Sequence, residues 1–575
     1  MIHAGLHTNG DDCFLAWSMP PAPNCWGFAI SRDLKTAGGK KYSGYIHNWV
    51  GFEGDANPPH SHKPSNEWPF QRYTWTDHGV SEGDTVSYEV APVLATPDGL
   101  TVDRAGSAKV GPVSVTTAGD RGVSAYFNRG ILLSQFMARR LGSDFTKGDL
   151  AKVKSELKKN DNPLRHFLMG QLGARLLELL GQAKDEGWEV YAALYELEDE
   201  ELVNGLKALK KRAHVVLANG SKKKKGTDGN VNAAKVLNGV VDLSRRMLWS
   251  EGLGHNKFVV FAKASAKPSL VWTGSTNWAS TGLCTQLNNG VLIQDAALAK
   301  VYKEQWQLLK DDRRVGRGGA DMHFGTGLMA SNDKAKASVG NKKKGWTVWF
   351  TRTSAAQDMD ALAKLINGAK KAILFLMFEP GNSGLLQVIQ ARLSPAAESF
   401  DPDLYVQGVV NTIKPAKDQE NVRVELVQRG RSKPFDLRVI QPEGMRDGLA
   451  GWAAEVTRRD FLLGQGGLIG HAIIHSKIIV IDPFTDPIVI TGSHNFSPAA
   501  SSKNDENVLV VRGNAGLAER YAVNIMGVYQ HYRWRSYLQQ CAQNNLPPWD
   551  GLKKNAEWQN KKAEHDPELQ FWIRG

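Results

Sequence analysis

The chain repeats a long pattern of strands and helices, and this repeat constrains the fold more than any other feature. An amphipathic helix followed by an apolar strand at 174–197 recurs at 360–380, and the strand at 123–130 recurs at 347–354. Further on, "GHNKFVVF…SLVWTGSTNW" is followed in the same order by "IHSKIIVI…PIVITGSHNF". Helices that alternate with buried strands predict a layered α/β fold. A repeated unit of this size predicts two halves packed about a pseudo-twofold axis.

The residues before the repeat have a different character. "RYTWTDHGV" and "DTVSYEVAPVL" alternate apolar and polar residues between turn-forming Gly, Asp and Pro, which predicts an all-β region. The segment "SYEVAPV" resembles a late strand of a fibronectin type III-like sandwich. We therefore expect four parts, which are a β-sandwich over 1–118, α/β halves over 119–320 and 340–545, and a C-terminal tail over 546–575.

The overall charge favours anionic partners. The 575 residues carry a formal net charge of +12, and their hydrophobic content of 42% is that of a globular protein, not of a disordered or fibrous one. Nucleic acid, phosphoinositides and acidic bilayers all fit this charge, and it is compatible with peripheral membrane contact. The lysine runs at 221–226 and 341–346 lie among Gly, Asn and Ser, so we interpret them as solvated loops.

Targeting and redox features give simple expectations. The start "MIHAGLHTNGDDCF" lacks a basic region followed by an apolar core, and no apolar run is long enough to span a bilayer. We expect a chain that begins in the cytosol, with export by a route that needs no cleavable signal left open. The four cysteines have no metal-binding spacing, so free buried thiols are expected, with a Cys13–Cys25 disulfide as the alternative.

Each repeat carries a His-x-Lys pair followed by a Gly-Ser-x-Asn turn. Residues two apart on a strand point to the same face, so each His and Lys project together. If the halves pack about an axis, both pairs converge on one cleft. The first set is His255, Lys257, Ser275 and Asn277, and the second is His475, Lys477, Ser493 and Asn495.

This combination of residues suits the chemistry of a phosphodiester. A neutral imidazole can attack phosphorus, and a protonated imidazole opposite can donate a proton to the leaving oxygen and later activate water. Two lysines and two asparagine amides can bind the remaining phosphate oxygens, while the serines orient these groups. Because lysine and imidazolium supply the positive charge, neither a metal ion nor another cofactor is required.

At these residues the sequence resembles the phospholipase D superfamily, whose signature is a duplicated His-x-Lys-x4-Asp followed by Gly-Ser-x-Asn. "HSKIIVID" with "GSHN" matches fully and includes Asp482, whereas the first half has Ala262 in place of that aspartate. Glu506 matches an acidic residue found further downstream in the family, and the first half has Asn288 or Asn289 there. The doubled motif is specific, and the repeat extends the resemblance over about residues 123 to 540.

The resemblance implies two α/β/α halves that share one cleft and form a pseudo-dimer within a monomer. It implies that His255 is the nucleophile and His475 the general acid, with Asp482 and Glu506 in support. The reverse assignment stays open, because the second half has the fuller set of supporting acids. Glu196, at the end of a strand in the first half, is a candidate replacement for the missing acid.

The resemblance also implies a reaction class and a favoured substrate. Lipid-directed members carry two motifs in one chain, so a phospholipid head group is the favoured substrate. A nuclease that uses the same site is the alternative, and an inactive phosphate-binding scaffold is a further one. Hydrolysis and transfer to an alcohol differ only in the acceptor, and the sequence does not separate them.

Overall fold

The chain forms two compact units in the computed structural model. One unit combines residues 1–117 with 545–575, and the other covers 118–544. Residues 222–226 of the first lysine run, residues 342 and 343 of the second, and the end of the predicted first half lie outside the described residues. The structure describes residues 2–58, 61–130, 155–221, 228–248, 252–263, 267–312, 314–315, 322–323, 326–341, 344–381, 384–411, 439–440, 474–543, 545–547 and 549–574.

The first unit is all-β over its N-terminal residues. Its strands pair as β1-β2-β7, as β10-β8-β3-β4 with β9 beside β8, and as β5-β6. In β8, Val86, Tyr88 and Val90 are buried while the residues between them are partly exposed, as expected for a strand with one face on a core. The strands are β1 His3–Thr8, β2 Cys13–Ser18, β3 Cys25–Lys35, β4 Lys41–Tyr45, β5 His47–Asn48, β6 Lys63–Pro64, β7 Thr74–Asp77, β8 Thr85–Thr96, β9 Gly99–Val102 and β10 Ala108–Ser114.

The last residues of the chain complete this unit. A helix over Lys562–Arg574 packs against β1 and β2. The Trp572 ring lies 4.7 Å from that of Phe14, and the Trp572 carbonyl is 2.7 Å from His7 Nε2. A preceding 3₁₀ helix, Glu557–Lys561, donates a hydrogen bond of 3.0 Å from Trp558 Nε1 to the Cys25 carbonyl. The segment predicted as a separate tail therefore belongs to the N-terminal unit.

The second unit contains two large sheets with the same strand order, besides a small two-stranded one. The seven-stranded sheet runs β11-β17-β16-β15-β12-β13-β14, and the eight-stranded sheet runs β21-β27-β26-β25-β22-β23-β24 with β20 added beside β21. The strands are β11 Val123–Phe127, β12 Glu189–Leu194, β13 Ala213–Ala218, β14 Asp242–Arg246, β15 Lys257–Lys263, β16 Lys267–Gly274, β17 Asn289–Ile293, β18 Arg314–Val315, β19 Met322–His323, β20 Lys336–Asn341, β21 Lys344–Phe350, β22 Ala372–Met377, β23 Tyr405–Val410, β24 Val439–Ile440, β25 Ile478–Ile481, β26 Ile488–Gly492 and β27 Asn507–Arg512.

Helices cover these mixed sheets, as parallel strand crossovers require. In each sheet the last three strands in the order above are parallel, and the others pair antiparallel. The long helix α10, Ala515–Gln543, packs against β11 and against β22 to β26. The helices are α1 Pro163–Asp185, α2 Glu200–Ala208, α3 Val231–Leu237, α4 Ser280–Cys284, α5 Ala296–Asp311, α6 Thr326–Asn332, α7 Gln357–Asn367, α8 Leu385–Leu393, α9 Pro498–Ser502 and α10 Ala515–Gln543.

The duplicated α/β architecture predicted from the repeat is thus confirmed, with an all-β region before it. No helix in the described ranges is both long and apolar enough to cross a membrane. All four cysteines are free and buried, so the expectation of free thiols is confirmed and the Cys13–Cys25 alternative is wrong.

The two halves meet through reciprocal buried hydrogen bonds. Asn289 Nδ2 donates to Thr491 Oγ1 at 2.8 Å, and in the equivalent position Thr273 Oγ1 donates to Asn507 Oδ1 at 2.6 Å. Asn289 Nδ2 also donates to the hydroxyl oxygen of Tyr521 in α10 at 3.0 Å. Removing one partner of a buried bond leaves the other unsatisfied, at a cost of about 1–3 kcal/mol. These bonds connect β17 to β26 and β16 to β27, and they bring the starts of β15 and β25 together.

Candidate active site

The two His-x-Lys pairs lie where β15 and β25 begin. Lys257 is the first residue of β15, and Lys477 immediately precedes β25. The exposed fractions of His255, Lys257, His475 and Lys477 are 5%, 2%, 5% and 0%. Positive groups are rarely buried to this extent unless they have counter-charges or hydrogen-bond partners. The strand starts therefore form one buried, strongly polar cluster.

His255 is paired with a carboxylate from the other half of the repeat. Its Nδ1 is 2.7 Å from Glu506 Oε2, and both side chains are buried. Glu506 Oε1 also accepts a hydrogen bond from Asn504 Nδ2 at 3.2 Å. A carboxylate at Nδ1 fixes the proton there and leaves Nε2 as the basic nitrogen of the neutral ring. The arrangement suits His255 as a nucleophile.

His475 is paired with an amide, again from the other half. Its Nδ1 is 2.9 Å from Asn288 Oδ1. The same oxygen accepts a hydrogen bond from Ser275 Oγ at 2.8 Å, and Asn288 Nδ2 donates to the Gly282 carbonyl at 2.8 Å. Of the two asparagines that the sequence offered at this point, Asn288 is the one that contacts a histidine.

The two lysines have equivalent surroundings. Lys257 Nζ donates to the His255 carbonyl at 2.8 Å, and Lys477 Nζ donates to the His475 carbonyl at 2.5 Å. Lys257 Nζ also lies 4.9 Å from the centre of the Tyr195 ring, and Lys477 Nζ lies 4.8 Å from that of Phe378. Aromatic faces attract cations and exclude water, so each ring forms one wall of the cluster.

The same two rings contact the histidines. The Tyr195 and His255 ring centres are 4.7 Å apart, and those of Phe378 and His475 are 4.9 Å apart. Sequence reasoning did not identify either aromatic residue. Each stands immediately before the glutamate that ends a repeated strand, so the repeat contained a usable indication of both.

Burial and mutual repulsion keep the histidines neutral. Burial lowers the pKa of His255 to about 4 despite the opposing charge of Glu506, and Lys257 adds to the effect. Burial also lowers the pKa of His475 well below its ordinary value, and Lys477, Lys257 and His255 lower it further. The hydrogen bonds from His255 to Glu506 and from His475 to Asn288 each cross between the halves and bring both pairs together. The sequence prediction of one shared cluster is consistent with this geometry.

The lysines are affected in the same way. Burial lowers the pKa of Lys257 to about 7, although Glu506 and Glu196 oppose the change. The pKa of Lys477 is lowered by burial and by Lys257, against the charges of Glu506 and Glu379. A bound anion would favour the charged form of each lysine. The site can therefore hold a tetrahedral oxyanion such as phosphate.

The serines of the two Gly-Ser turns hold the backbone of the neighbouring strand. Ser275 Oγ accepts from the Asn289 amide at 3.0 Å, and Ser493 Oγ accepts from the Asn507 amide at 3.0 Å. The preceding glycines are required because a Cβ on either would lie 2.2 Å from the carbonyl oxygen of Asn289 or Asn507. The serines thus position the residues that flank Asn288 and Glu506.

Asn277 is held by the strand-end glutamate of its own half. Asn277 Nδ2 donates to Glu196 Oε2 at 2.6 Å, and Ser221 donates to the other oxygen of Glu196. In the part of the chain that is described, the side-chain oxygens of Asn277 and Asn495 have no hydrogen-bond partner. Glu196 orients Asn277 and does not contact His255 as a substitute for a motif acid.

Asp482, predicted as a catalytic residue, lies at the opposite end of β25 from the site. Along the strand it is about 20 Å from His475. Its carboxylate accepts backbone hydrogen bonds of 2.7–3.2 Å from Lys370, Lys371 and Ala372, which lead into β22. The placement of Asp482 in the catalytic set is therefore corrected, because its contacts connect two strands and leave the histidines untouched.

Ala262 occupies the matching position at the far end of β15. It is buried and lies opposite Glu189 of β12 and Pro268 of β16. The missing motif acid is thus remote from His255, and its loss removes nothing from the buried cluster of histidines and lysines.

Comparison with known proteins places this geometry in context. Residues 176–309 and 400–526 both match the model of the family described as "Cardiolipin synthase, PLD-like domain". No curated protein matches the chain. Among solved structures, phosphatidylserine synthase from Haemophilus influenzae Rd KW20 is similar at 11% identity and a TM-score of 0.37, covering 70% of this chain and 93% of that one.

Two further solved structures are similar at low identity. The polyphosphate kinase from Porphyromonas gingivalis has 10% identity and a TM-score of 0.38 over 61% of this chain, and the match spans 44% of that protein. The phospholipase D family member Nuc from Salmonella typhimurium has 17% identity and a TM-score of 0.21, over 27% of this chain and 92% of that one. The family match thus falls within both α/β halves and leaves the N-terminal all-β region unmatched.

Proposed function

Because this chain is a duplicated member of the phospholipase D superfamily, we propose that it is a metal-independent phosphodiesterase that forms a phosphohistidine intermediate. The observation that carries the proposal is the pairing of His255 with Glu506, opposite the pairing of His475 with Asn288. Both pairings occupy Nδ1, so the Nε2 atoms are the nitrogens available for chemistry. A scaffold that only binds phosphate would not need an oriented, basic nitrogen of this kind.

The first step transfers the phosphoryl group to the protein. The lone pair of His255 Nε2 forms a bond to phosphorus, and the bond between phosphorus and the leaving oxygen breaks. A proton on His475 Nε2 passes to the leaving oxygen, which departs as an alcohol. Glu506 stabilises the positive charge that develops on the His255 ring as the new bond forms.

The second step releases the phosphoryl group. Neutral His475 takes a proton from water, whose oxygen forms a bond to phosphorus. The bond between phosphorus and His255 Nε2 breaks, and its electron pair returns to the nitrogen. In both steps Lys257 and Lys477 bind the non-reacting oxygens, where negative charge concentrates.

A phospholipid head group is the favoured substrate. The family model that matches both halves is named for cardiolipin synthase, which supports a lipid phosphodiester. The formal net charge of +12 would attract an anionic bilayer or a nucleic acid equally well. A nuclease is therefore the competing result of the test described next, and its binding would weaken steeply with salt because phosphate contacts release counterions.

The test compares wild type with His255→Asn and His475→Asn on anionic phospholipid vesicles and on single- and double-stranded DNA and RNA, all with EDTA present. We expect lipid cleavage by wild type and its loss in both variants. His166→Asn is the control, since His166 is exposed on α1. Wild type quenched in denaturant should carry phosphate on His255 that is labile in acid and stable in alkali.

Each outcome decides between named alternatives. Cleavage of nucleic acid alone, lost in the same two variants, would keep the mechanism and replace the substrate. Turnover that survives His255→Asn would refute the proposed nucleophile. Binding of vesicles or nucleic acid without any turnover or labelled histidine would leave the phosphate-binding scaffold.

A further inference from the structure

The two pseudo-equivalent supports of the histidines differ in charge. Glu506 and Asn288 each precede the first residue of their strand, β27 or β17, and each contacts the histidine of the opposite half. One support is a carboxylate and the other is a neutral amide. The catalytic histidines are therefore unequal even though the strands that carry them have the same order.

The hydrogen bonds of Asn288 fix which of its atoms faces His475. The Gly282 carbonyl can only accept, so the atom 2.8 Å from it must be the amide nitrogen. The opposite atom, which receives the Ser275 hydroxyl at 2.8 Å, is then the oxygen. His475 must carry its proton on Nδ1 to bond to that oxygen, so its Nε2 is unprotonated in the neutral ring.

The groups around His475 do not replace the missing charge. Lys257, Lys477 and His255 all disfavour a proton on it, and the Phe378 ring packs against it on one side. The Ser275 backbone favours a proton through a hydrogen bond but supplies no charge. Of the described carboxylates near the cluster, Glu506 is bonded to His255, Glu196 is bonded to Asn277 and acts on Lys257, and Glu379 acts on Lys477. A proton on His475 Nε2 would create an imidazolium whose Nδ1 partner is neutral.

We propose that Asn288 is a positioning residue that keeps His475 neutral near pH 7. The first step is then fastest in acid. At neutral pH its rate depends on how readily the leaving oxygen departs as an anion. This inference rests on the proposed function. A phenolate or nitrophenolate can leave without a proton, whereas an alkoxide cannot. Head-group alcohols should therefore be released faster at acidic pH, and phosphodiesters with acidic leaving groups should be cleaved at neutral pH as well.

The primary test is the pH dependence of kcat/KM for wild type and Asn288→Asp, with a methyl phenyl phosphodiester as the probe. In wild type the rate should fall as the pH rises, since the proton on His475 is lost. A carboxylate next to an imidazole favours its charged form by about one to three pH units, so the fall in Asn288→Asp should move upward by that amount. Glu506→Gln is the matched control, because it changes His255 and should not move this limb upward.

A second measurement does not depend on the variant, whose new oxygen faces the Gly282 carbonyl and could reduce its stability. Wild type is compared on methyl 4-nitrophenyl, methyl phenyl and dimethyl phosphodiesters at neutral and acidic pH. At neutral pH the cleavage rate should fall steeply from the nitrophenyl to the phenyl to the alkyl ester. In acid, where His475 supplies the proton, the ratio of the fastest rate to the slowest should shrink by at least about tenfold. His475→Ala should remain steep at both values.

The results separate this inference from the proposed function. A folded Asn288→Asp whose alkaline limb does not move, or a wild type whose leaving-group dependence is equally weak at both pH values, overturns the role of Asn288 alone. A wild type that is as steep as His475→Ala at both pH values overturns His475 as the proton donor of the proposed function, and this inference with it. No turnover of any of the three esters, together with no phosphate on His255, overturns the proposed function and this inference with it.

Discussion

The first and second α/β halves share a strand order but contribute differently to the site. The first half supplies His255 and the amide of Asn288, while the second supplies His475 and the carboxylate of Glu506. Each histidine depends on the half that does not carry it. Duplication thus preserved the sheets and the lysines, whereas the supports of the histidines diverged. Near-symmetry of the backbone does not imply equal chemistry at the two histidines.

Among the variants that test this difference between the halves, Glu506→Gln should have the largest effect. It keeps the shape of the side chain and removes its charge, so the support of His255 would resemble that of His475. We expect kcat to fall by about 10³–10⁴-fold, as when the carboxylate behind a catalytic histidine is neutralised. Single-turnover labelling of His255 measures the step directly. A variant with near wild-type labelling would contradict the assigned nucleophile.

The lysines should behave alike if they share the phosphate oxygens. Lys257→Met and Lys477→Met are each expected to lower kcat/KM by about 10²–10³-fold, because each removes one charge from the transition state. Lys263→Met is the control, since Lys263 is exposed at the other end of β15. If only one lysine mattered, the phosphate would be bound by one half.

At the ends of β15 and β25 that lie away from the site, a substitution should change stability and leave activity almost unchanged. Asp482→Ala leaves the amides of residues 370–372 without their acceptor, so we expect the free energy of unfolding to fall by about 2–4 kcal/mol. The kcat of the folded variant should stay within about threefold of wild type, because the residue lies far from His475. Urea unfolding and steady-state kinetics measure the two effects.

Ala262→Asp is the mirror of that change. It restores the aspartate of the motif but puts a carboxylate in a buried position opposite Pro268. We expect lower stability and no gain in kcat. A gain in activity would show that the motif aspartate acts on the site from a distance.

Acid should weaken the fold through the same buried cluster. The pKa of His255 is about 4 when folded and about 6.5 when unfolded, so between these values the unfolded chain binds more protons. Stability should therefore fall as the pH drops from 6.5 to 4, by about 2–3 kcal/mol from this residue. Urea unfolding measured across this range should show that the free energy of unfolding changes less with pH in His255→Gln than in wild type. An equal change would contradict the lowered pKa of His255.

The repeat and the motif spacing were enough to predict the α/β halves and the meeting of the two His-x-Lys pairs in one buried cluster. They could not predict that Glu506 supports His255, since that contact forms between strands over 250 residues apart in the chain. Asp482 was misplaced because it was taken from the resemblance to the motif, in which the four residues of β25 separate it from Lys477. Tyr195 and Phe378 were overlooked because an apolar ring at a strand end is usually a core residue.

The last helix of the chain, Lys562–Arg574, packs on the first two strands, and this has a consequence for biosynthesis. During translation β1 and β2 leave the ribosome long before the helix that covers them. The α/β halves between them are completed earlier, since all of their residues precede the helix. We expect the N-terminal strands to be accessible to chaperones and proteases until that helix has left the ribosome, so that nascent chains without it are cut near Phe14 while chains that include it resist.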